Sequence, residues 1–89
     1  EGLTRLCNDP NPYIKNNAKA ALSAWESKDY EQAVLAIHKV VSLSRSASQQ
    51  EAVFSSLAQL KEDIRVAESR GNANAKRAAE LLTQILSAP

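Results

Sequence analysis

Glycine and methionine are nearly missing from this chain of 89 residues, which has two glycines, Gly2 and Gly71, and no methionine. Loops that cradle phosphate in P-loop and dinucleotide-binding proteins need several glycines close together. Two glycines so far apart exclude both kinds of site. A chain that begins at Glu1 and has no methionine is expected to be a processed mature form or a domain of a longer protein, with any targeting segment removed.

Reactive and metal-binding side chains are equally scarce, since Cys7 is the sole cysteine and His38 the sole histidine. One cysteine excludes an internal disulfide and leaves the compartment undecided. A metal site would need carboxylates for most of its ligands, so no metal and no cofactor are predicted. The prediction is a non-enzymatic protein, and a small enzyme that uses Cys7 or His38 is the minor alternative.

Charge and hydropathy exclude two further classes of protein. Eleven lysines and arginines and ten acidic residues give a net charge of +1, and the basic residues are spread along the whole chain. Nucleic-acid binding therefore lacks its usual basic patch. Uncharged runs such as Ala52 to Leu60 are much shorter than the roughly 20 apolar residues that span a bilayer. A soluble domain without a membrane span is predicted.

Alanine and aliphatic residues dominate what is present. Hydrophobic residues make up 44% of the chain and aromatic residues only 4%. Close packing of helices fits this composition better than a β-sandwich does. We therefore predict one all-α domain over residues 1–89.

Capping residues and apolar periodicity divide the chain into helices. Leu3, Leu6 and Cys7 are read as the last turn of a helix or as a frayed terminus. Asn11 is a good N-cap for a first helix over Pro12–Ser27. Asp29 caps a second helix from Tyr30 to about Leu43. The apolar stripe of the first helix consists of Ile14, Ala18, Ala21, Leu22 and Trp25.

The second half of the chain carries two more helical patterns. Ser48 and Glu51 match a capping box and predict the start of a third helix. Its apolar seam is formed by Val53, Leu57, Leu60, Ile64 and Ala67, and Phe54 beside the seam is predicted to be core. Gly71 ends this helix, and Asn72 or Asn74 caps a fourth. The apolar side of the fourth helix consists of Ala75, Ala78, Ala79, Leu82, Ile85 and Leu86.

Short connectors between four such segments favour antiparallel neighbours. The predicted architecture is therefore two helical hairpins, which either stack as a repeat or close into an up-down bundle. The seam of the third helix also allows self-association, so a homodimeric four-helix bundle is an alternative. Alanines facing one another argue against a third class, a bundle that carries a ligand in a central cavity.

The first hairpin resembles a tetratricopeptide-repeat unit over about Asp9 to Arg45. Asp9-Pro10-Asn11 is similar to the turn that joins such repeats, and Asp29-Tyr30 matches the favoured turn within one. The family's close-packing positions are matched by Ala21, Ala24, Ala33, Ile37 and Val40. Lys28 departs from the pattern, because the family usually has glycine there. The second hairpin lacks the pattern.

The resemblance implies a scaffold that presents a helical groove to a peptide or helix of a partner protein. Because the first helix of a repeat lines the concave side, the resemblance assigns partner binding to Tyr13, Asn17 and Trp25. The alternative interpretation makes the aromatic residues Tyr13, Trp25 and Tyr30 a plug for the open end of the hairpin.

Overall fold

The computed structural model describes residues 2–87, except for the side chains of residues 86 and 87, so the predicted role of Leu86 lies outside the described residues. These residues form five helices and no strand, which confirms the all-α prediction with one helix more than the four predicted. The helices are α1 (Gly2–Leu6), α2 (Pro12–Glu26), α3 (Tyr30–Leu43), α4 (Ala47–Ser69) and α5 (Ala73–Ser87).

The start of α2 follows the predicted capping chemistry. The Asn11 side chain accepts hydrogen bonds from the backbone N–H groups of Tyr13 and Ile14 at 2.9 and 3.4 Å. Pro12 occupies the first helical position, where a missing N–H leaves no hydrogen bond unmade. The Asn-Pro dipeptide therefore fixes where α2 begins.

The most extensive pairing of helices joins α2 to α3. Alanines at the contact, Ala18 and Ala21 on α2 and Ala33 on α3, are completely buried. Small side chains let two helix axes approach closely, and larger neighbours then fill the remaining space.

The turn between α2 and α3 has an unusual backbone. Lys28 has a φ of 63°, in the left-handed region. The N–H of the next residue, Asp29, donates to the carbonyl of Ala24 at 2.8 Å, which closes the end of α2. Asp29 then caps α3 by accepting from the backbone of Gln32 at 3.4 Å. The position where the family pattern has glycine is the one that needs a left-handed backbone.

The start of α4 corrects one sequence prediction. The capping box is formed by Ser46 and Gln49, and not by Ser48 and Glu51. The Gln49 backbone donates to the Ser46 side chain, and the Ser46 backbone donates to the Gln49 side chain, each at 3.1 Å. The same glutamine also donates to the Asp9 carboxylate at 3.0 Å. This contact with the turn before α2 favours the earlier of two overlapping capping patterns.

The core confirms most of the predicted apolar stripe of α4. Val53, Leu57, Leu60 and Ile64 are buried. Phe54 was predicted to be core, and this is wrong, because its side chain is 53% exposed. Each residue of an α-helix turns by about 100° from the one before it. Phe54 follows Val53 on the side away from the buried stripe and therefore faces solvent.

The N-terminus of α5 is tied to the start of α3. Asn72 caps α5 by accepting from the Ala75 N–H at 3.0 Å, which decides between the two predicted caps. The Asn74 side chain accepts from the Glu31 N–H and donates to the Asp29 carboxylate, both at 3.1 Å. One amide thus supports the cap of α3 from a different helix.

The short helix α1 packs against α4 and α2. Its two leucines, Leu3 and Leu6, are 3% and 2% exposed. The segment that was predicted to be either the end of a helix or a frayed terminus is therefore helical, and its leucines belong to the core. None of the described helices combines the length and the apolar character that a bilayer span requires.

We predict that Lys28→Gly stabilises the protein. Glycine at this left-handed position avoids the steric strain of an L-residue. The greater conformational entropy of glycine in the unfolded chain offsets part of that gain, so the free energy of unfolding is expected to rise by about 0.5–1 kcal/mol. Urea unfolding measures the change. Ser27→Gly is the matched control, because Ser27 has an ordinary helical backbone and glycine there is expected to be neutral or destabilising. A Lys28→Gly protein no more stable than wild type would contradict the prediction.

Candidate functional site

The structure separates the three residues assigned to partner binding. Tyr13 lies in the first turn of α2 and is 69% exposed. Asn17, one turn later, donates from its side chain to the Tyr13 carbonyl at 2.8 Å. Trp25 lies at the other end of α2, about 18 Å farther along the helix axis than Tyr13 at 1.5 Å per residue. Tyr13 and Trp25 therefore lie at opposite ends of α2, and their assignment to one binding surface stays a prediction.

The predicted aromatic plug is also not a single cluster. Tyr30 is 8% exposed and belongs to the core, whereas Tyr13 faces solvent. Trp25 is half-buried and packs against the edge of the core. Of the three rings, only that of Trp25 has both a fixed inner edge and an open face.

A hydrogen bond holds the indole of Trp25 in place. Its Nε1–H donates to the Asp63 carboxylate on α4 at 2.7 Å. The other oxygen of that carboxylate accepts from the Gln59 side chain at 3.2 Å. A short bond to a charged acceptor is stronger than a neutral one. The ring is thus fixed to α4 by its polar edge, and the part of its carbon surface that does not pack against the core is free for other contacts.

The open face of Trp25 lines a groove of about 390 Å³ between α1, α2 and α4. This volume falls within the range of ligand-sized pockets. The apolar surface of the groove comes from Leu3 of α1 and from Leu22 and Trp25 of α2. The polar part of the lining consists of Thr4, Glu26, Ser55, Ser56 and Gln59. Glu26 is the one charged residue among them.

The other large groove has a different chemistry. It measures about 400 Å³ and lies where the α2–α3 turn meets the end of α4. Its lining includes Lys28, Arg70 and the Asp63 carboxylate, and Tyr30 and Val66 add apolar surface. Binding pockets are lined mainly by apolar side chains, and the lining of this groove is less apolar than that of the groove at Trp25. The groove at Trp25 is therefore the stronger candidate site.

The two residues considered for enzyme chemistry lie on different parts of the fold. Cys7 is half-buried just after α1, and His38 is exposed on α3. Among the hydrogen bonds of the described residues, none joins their side chains. The same part of the chain shows no group of three or more His, Cys, Asp or Glu residues placed to hold a metal ion.

One exposed ion pair shifts the pKa of its members. Arg65 donates to the Glu62 carboxylate on the same helix at 2.7 Å. The hydrogen bond, and then the charge of Arg65, lower the pKa of Glu62 below its ordinary value. The same contacts raise the pKa of Arg65. Water screens a pair this exposed, so it marks the solvent side of α4 and not a reactive centre.

The seam of α4, proposed as a route to self-association, lies inside the chain's own core. Leu60 and Ile64 in the middle of the seam are 0% and 2% exposed. A second copy would have to use a different surface. Self-association stays a prediction.

Sequence reasoning found Trp25 and missed the rest of the groove. Most of the missed residues come from α1 and α4, and those of α4 lie about 30 or more residues from Trp25 along the chain. Two signals were present: the leucines of α1 three residues apart, and Gln59 and Asp63 at a spacing that places them one turn apart on α4. Neither signal indicates by itself which helix it faces.

Comparison with known proteins gave no further constraint. No protein-family model, no curated protein and no solved structure matches this chain. The resemblance to tetratricopeptide repeats thus stays a prediction, and the function has to be inferred from the geometry of the groove.

We predict a measurable coupling between Trp25 and Asp63. In a double-mutant cycle of Trp25→Phe and Asp63→Ala, the hydrogen bond to a charged acceptor should give a coupling energy of about 1–2 kcal/mol. Urea unfolding of the four proteins, followed by circular dichroism, measures it. The Gln59–Asp63 pair is the internal control, because its longer and exposed bond should couple by less than about 0.5 kcal/mol. Equal coupling in the two pairs would contradict a special role for the indole bond.

Proposed function

We propose that this protein is a non-enzymatic interaction module whose groove at Trp25 receives apolar side chains of a partner protein. The observation that carries the proposal is that Leu22 and Trp25 are only half-buried and line an open groove. Large aromatic side chains held in one orientation contribute strongly to protein interfaces. The bond to Asp63 supplies that orientation before any partner arrives.

We also infer that α2 and α3 form one helical hairpin and that α4 and α5 form a second. Short turns and direct packing within each pair support this arrangement. The left-handed Lys28 and the buried alanines between α2 and α3 support a tetratricopeptide-like first hairpin.

The proposed binding surface differs from the one that the resemblance implied. Trp25 is retained as a contact residue, whereas Tyr13 and Asn17 are not among the residues that line the groove. Tyr13 and Asn17 therefore serve as a test of the alternative, a concave surface along the first part of α2.

We predict that Ser55→Arg blocks partner binding without unfolding the protein. Ser55 is exposed and lines the groove, and the carboxylate of Glu26 in the same lining attracts the added guanidinium into the opening. Peptides selected from a random displayed library against the wild-type protein should bind this variant at least about tenfold more weakly, which corresponds to about 1.4 kcal/mol. Isothermal titration measures the affinity.

Two variants control this experiment. Ser23→Arg adds the same side chain to an exposed position of α2 outside the groove and should leave binding within about twofold, a change worth less than about 0.5 kcal/mol. Tyr13→Ala tests the alternative surface. Peptides that lose affinity through Tyr13→Ala but not through Ser55→Arg would overturn the assignment of the groove, as would the selection of no peptide at all.

A further inference from the structure

Helix α1 packs in a channel between α2 and α4, and the part of the channel that it fills is called here the seat of α1. The contacts of α1 show what kind of segment this channel accommodates. The helix inserts two leucines, Leu3 and Leu6, that are three residues apart and almost fully buried. On its exposed side, the Arg5 guanidinium donates to the carbonyl and the hydroxyl of Ser48 at 3.0 and 3.1 Å. An amphipathic helix with leucines on one face and a cation at the edge is therefore already bound in this channel.

The seat of α1 covers only one end of the channel. Five residues of helix are about 7.5 Å long, and the fifteen of α2 are about 22 Å long. The C-terminal end of α1 is held at the first turn of α4 by the Arg5–Ser48 and Asp9–Gln49 contacts. The open groove therefore lies beyond the other end, and Leu3 belongs both to the core and to its lining. Leu3, Leu22 and Trp25 thus line the groove together, and Leu3 connects it to the seat of α1.

We propose that the groove at Trp25 binds an amphipathic helix of a partner protein, which lies in line with α1 and runs in the same direction. This inference rests on the proposed function and names the partner's structure. Leucine-type side chains three or four residues apart on the partner helix face Leu22 and Trp25, and they continue the row that Leu3 and Leu6 begin.

An extended peptide fits this groove less well than a helix does. An extended backbone needs partners for its N–H and C=O groups, which a helix pairs within itself. The α4 wall comes from the middle of that helix, where backbone groups pair within the helix, and the Ser56 hydroxyl donates to the Ala52 carbonyl at 3.0 Å. The described walls offer no strand edge to extend.

Charge at the far end of the groove sets the direction of the bound helix. Glu26 lies at the C-terminal end of α2, where the helix dipole is negative. A helix in line with α1 presents its own N-terminus there, since α1 and α2 run in opposite directions. The positive end of its dipole then faces Glu26. A lysine or arginine in its first turn adds to this attraction.

The test uses three alanine-based synthetic peptides of about 15 residues, long enough for partial helicity in water. The first has leucines at i, i+3 and i+7 with two N-terminal lysines. The second has the same sequence with a central proline, which breaks the helix. The third has the lysines moved to the C-terminal end. Because Trp25 is the sole tryptophan and the peptides have none, its fluorescence reports binding directly.

The first peptide should bind at least tenfold more tightly than the proline peptide and about threefold more tightly than the peptide with reversed charge. Its binding should be lost in Ser55→Arg and kept in Ser23→Arg. Equal affinity of the helical and proline peptides would overturn the helix inference and leave the proposed function intact. Equal affinity of the two charge patterns, after correction for the helicity of each free peptide measured by circular dichroism, would overturn the direction. If none of these peptides and none from the library binds at the groove, both proposals fail.

Sedimentation of the protein alone separates the partner helix from a second copy of the chain. A monomer is expected at all concentrations. A dimer that Ser55→Arg dissociates and Ser23→Arg preserves would show that the groove is occupied by another copy, which would overturn the proposal of a separate partner.

Discussion

Close contact between α2 and α3 is the constraint on which the other features of the fold depend. The alanines Ala18, Ala21 and Ala33 have no exposed surface. Packing this close resists rotation or sliding of the two helices against each other. Because α2 is held in place by α3, Trp25 has a fixed position along α4, beside Asp63. The groove is then defined by the distance between α2 and α4, and α1 occupies the part of it nearest the start of both helices.

Side chains that bridge distant helices fix the remaining elements. Gln49 completes the cap of α4 and also holds the Asp9 carboxylate, while Asn74 supports the cap of α3 from α5. Both are amides, which donate and accept at once and can therefore satisfy a backbone group and a side chain together. In a chain with so small a core, such contacts couple the capping of the helix ends to the packing of the helices, so that each stabilises the other.

Local patterns in the sequence predicted the features that depend on local physics. The caps Asn11 and Asp29 and the buried stripe of α4 were predicted because capping and helical periodicity involve residues within one or two turns. The Ser46–Gln49 and Ser48–Glu51 patterns overlap in the sequence, and the contact that favours the first joins Gln49 to Asp9, which is 40 residues away. A residue that neighbours a buried residue in the sequence can still face the other side of the helix. Phe54 was therefore predicted to lie in the core, although it faces solvent.

The same distinction explains why Trp25 was found and the groove was not. A lone tryptophan at the end of an amphipathic helix is conspicuous in a sequence, but its role depends on which acceptor reaches its Nε1–H. If no acceptor were present, the indole would have to expose that edge to water and turn its carbon face inward. Asp63 satisfies the N–H at the boundary of the core, so the ring contacts α4 and still has apolar surface accessible in the groove. A single hydrogen bond thus lets one side chain stabilise the fold and line the groove.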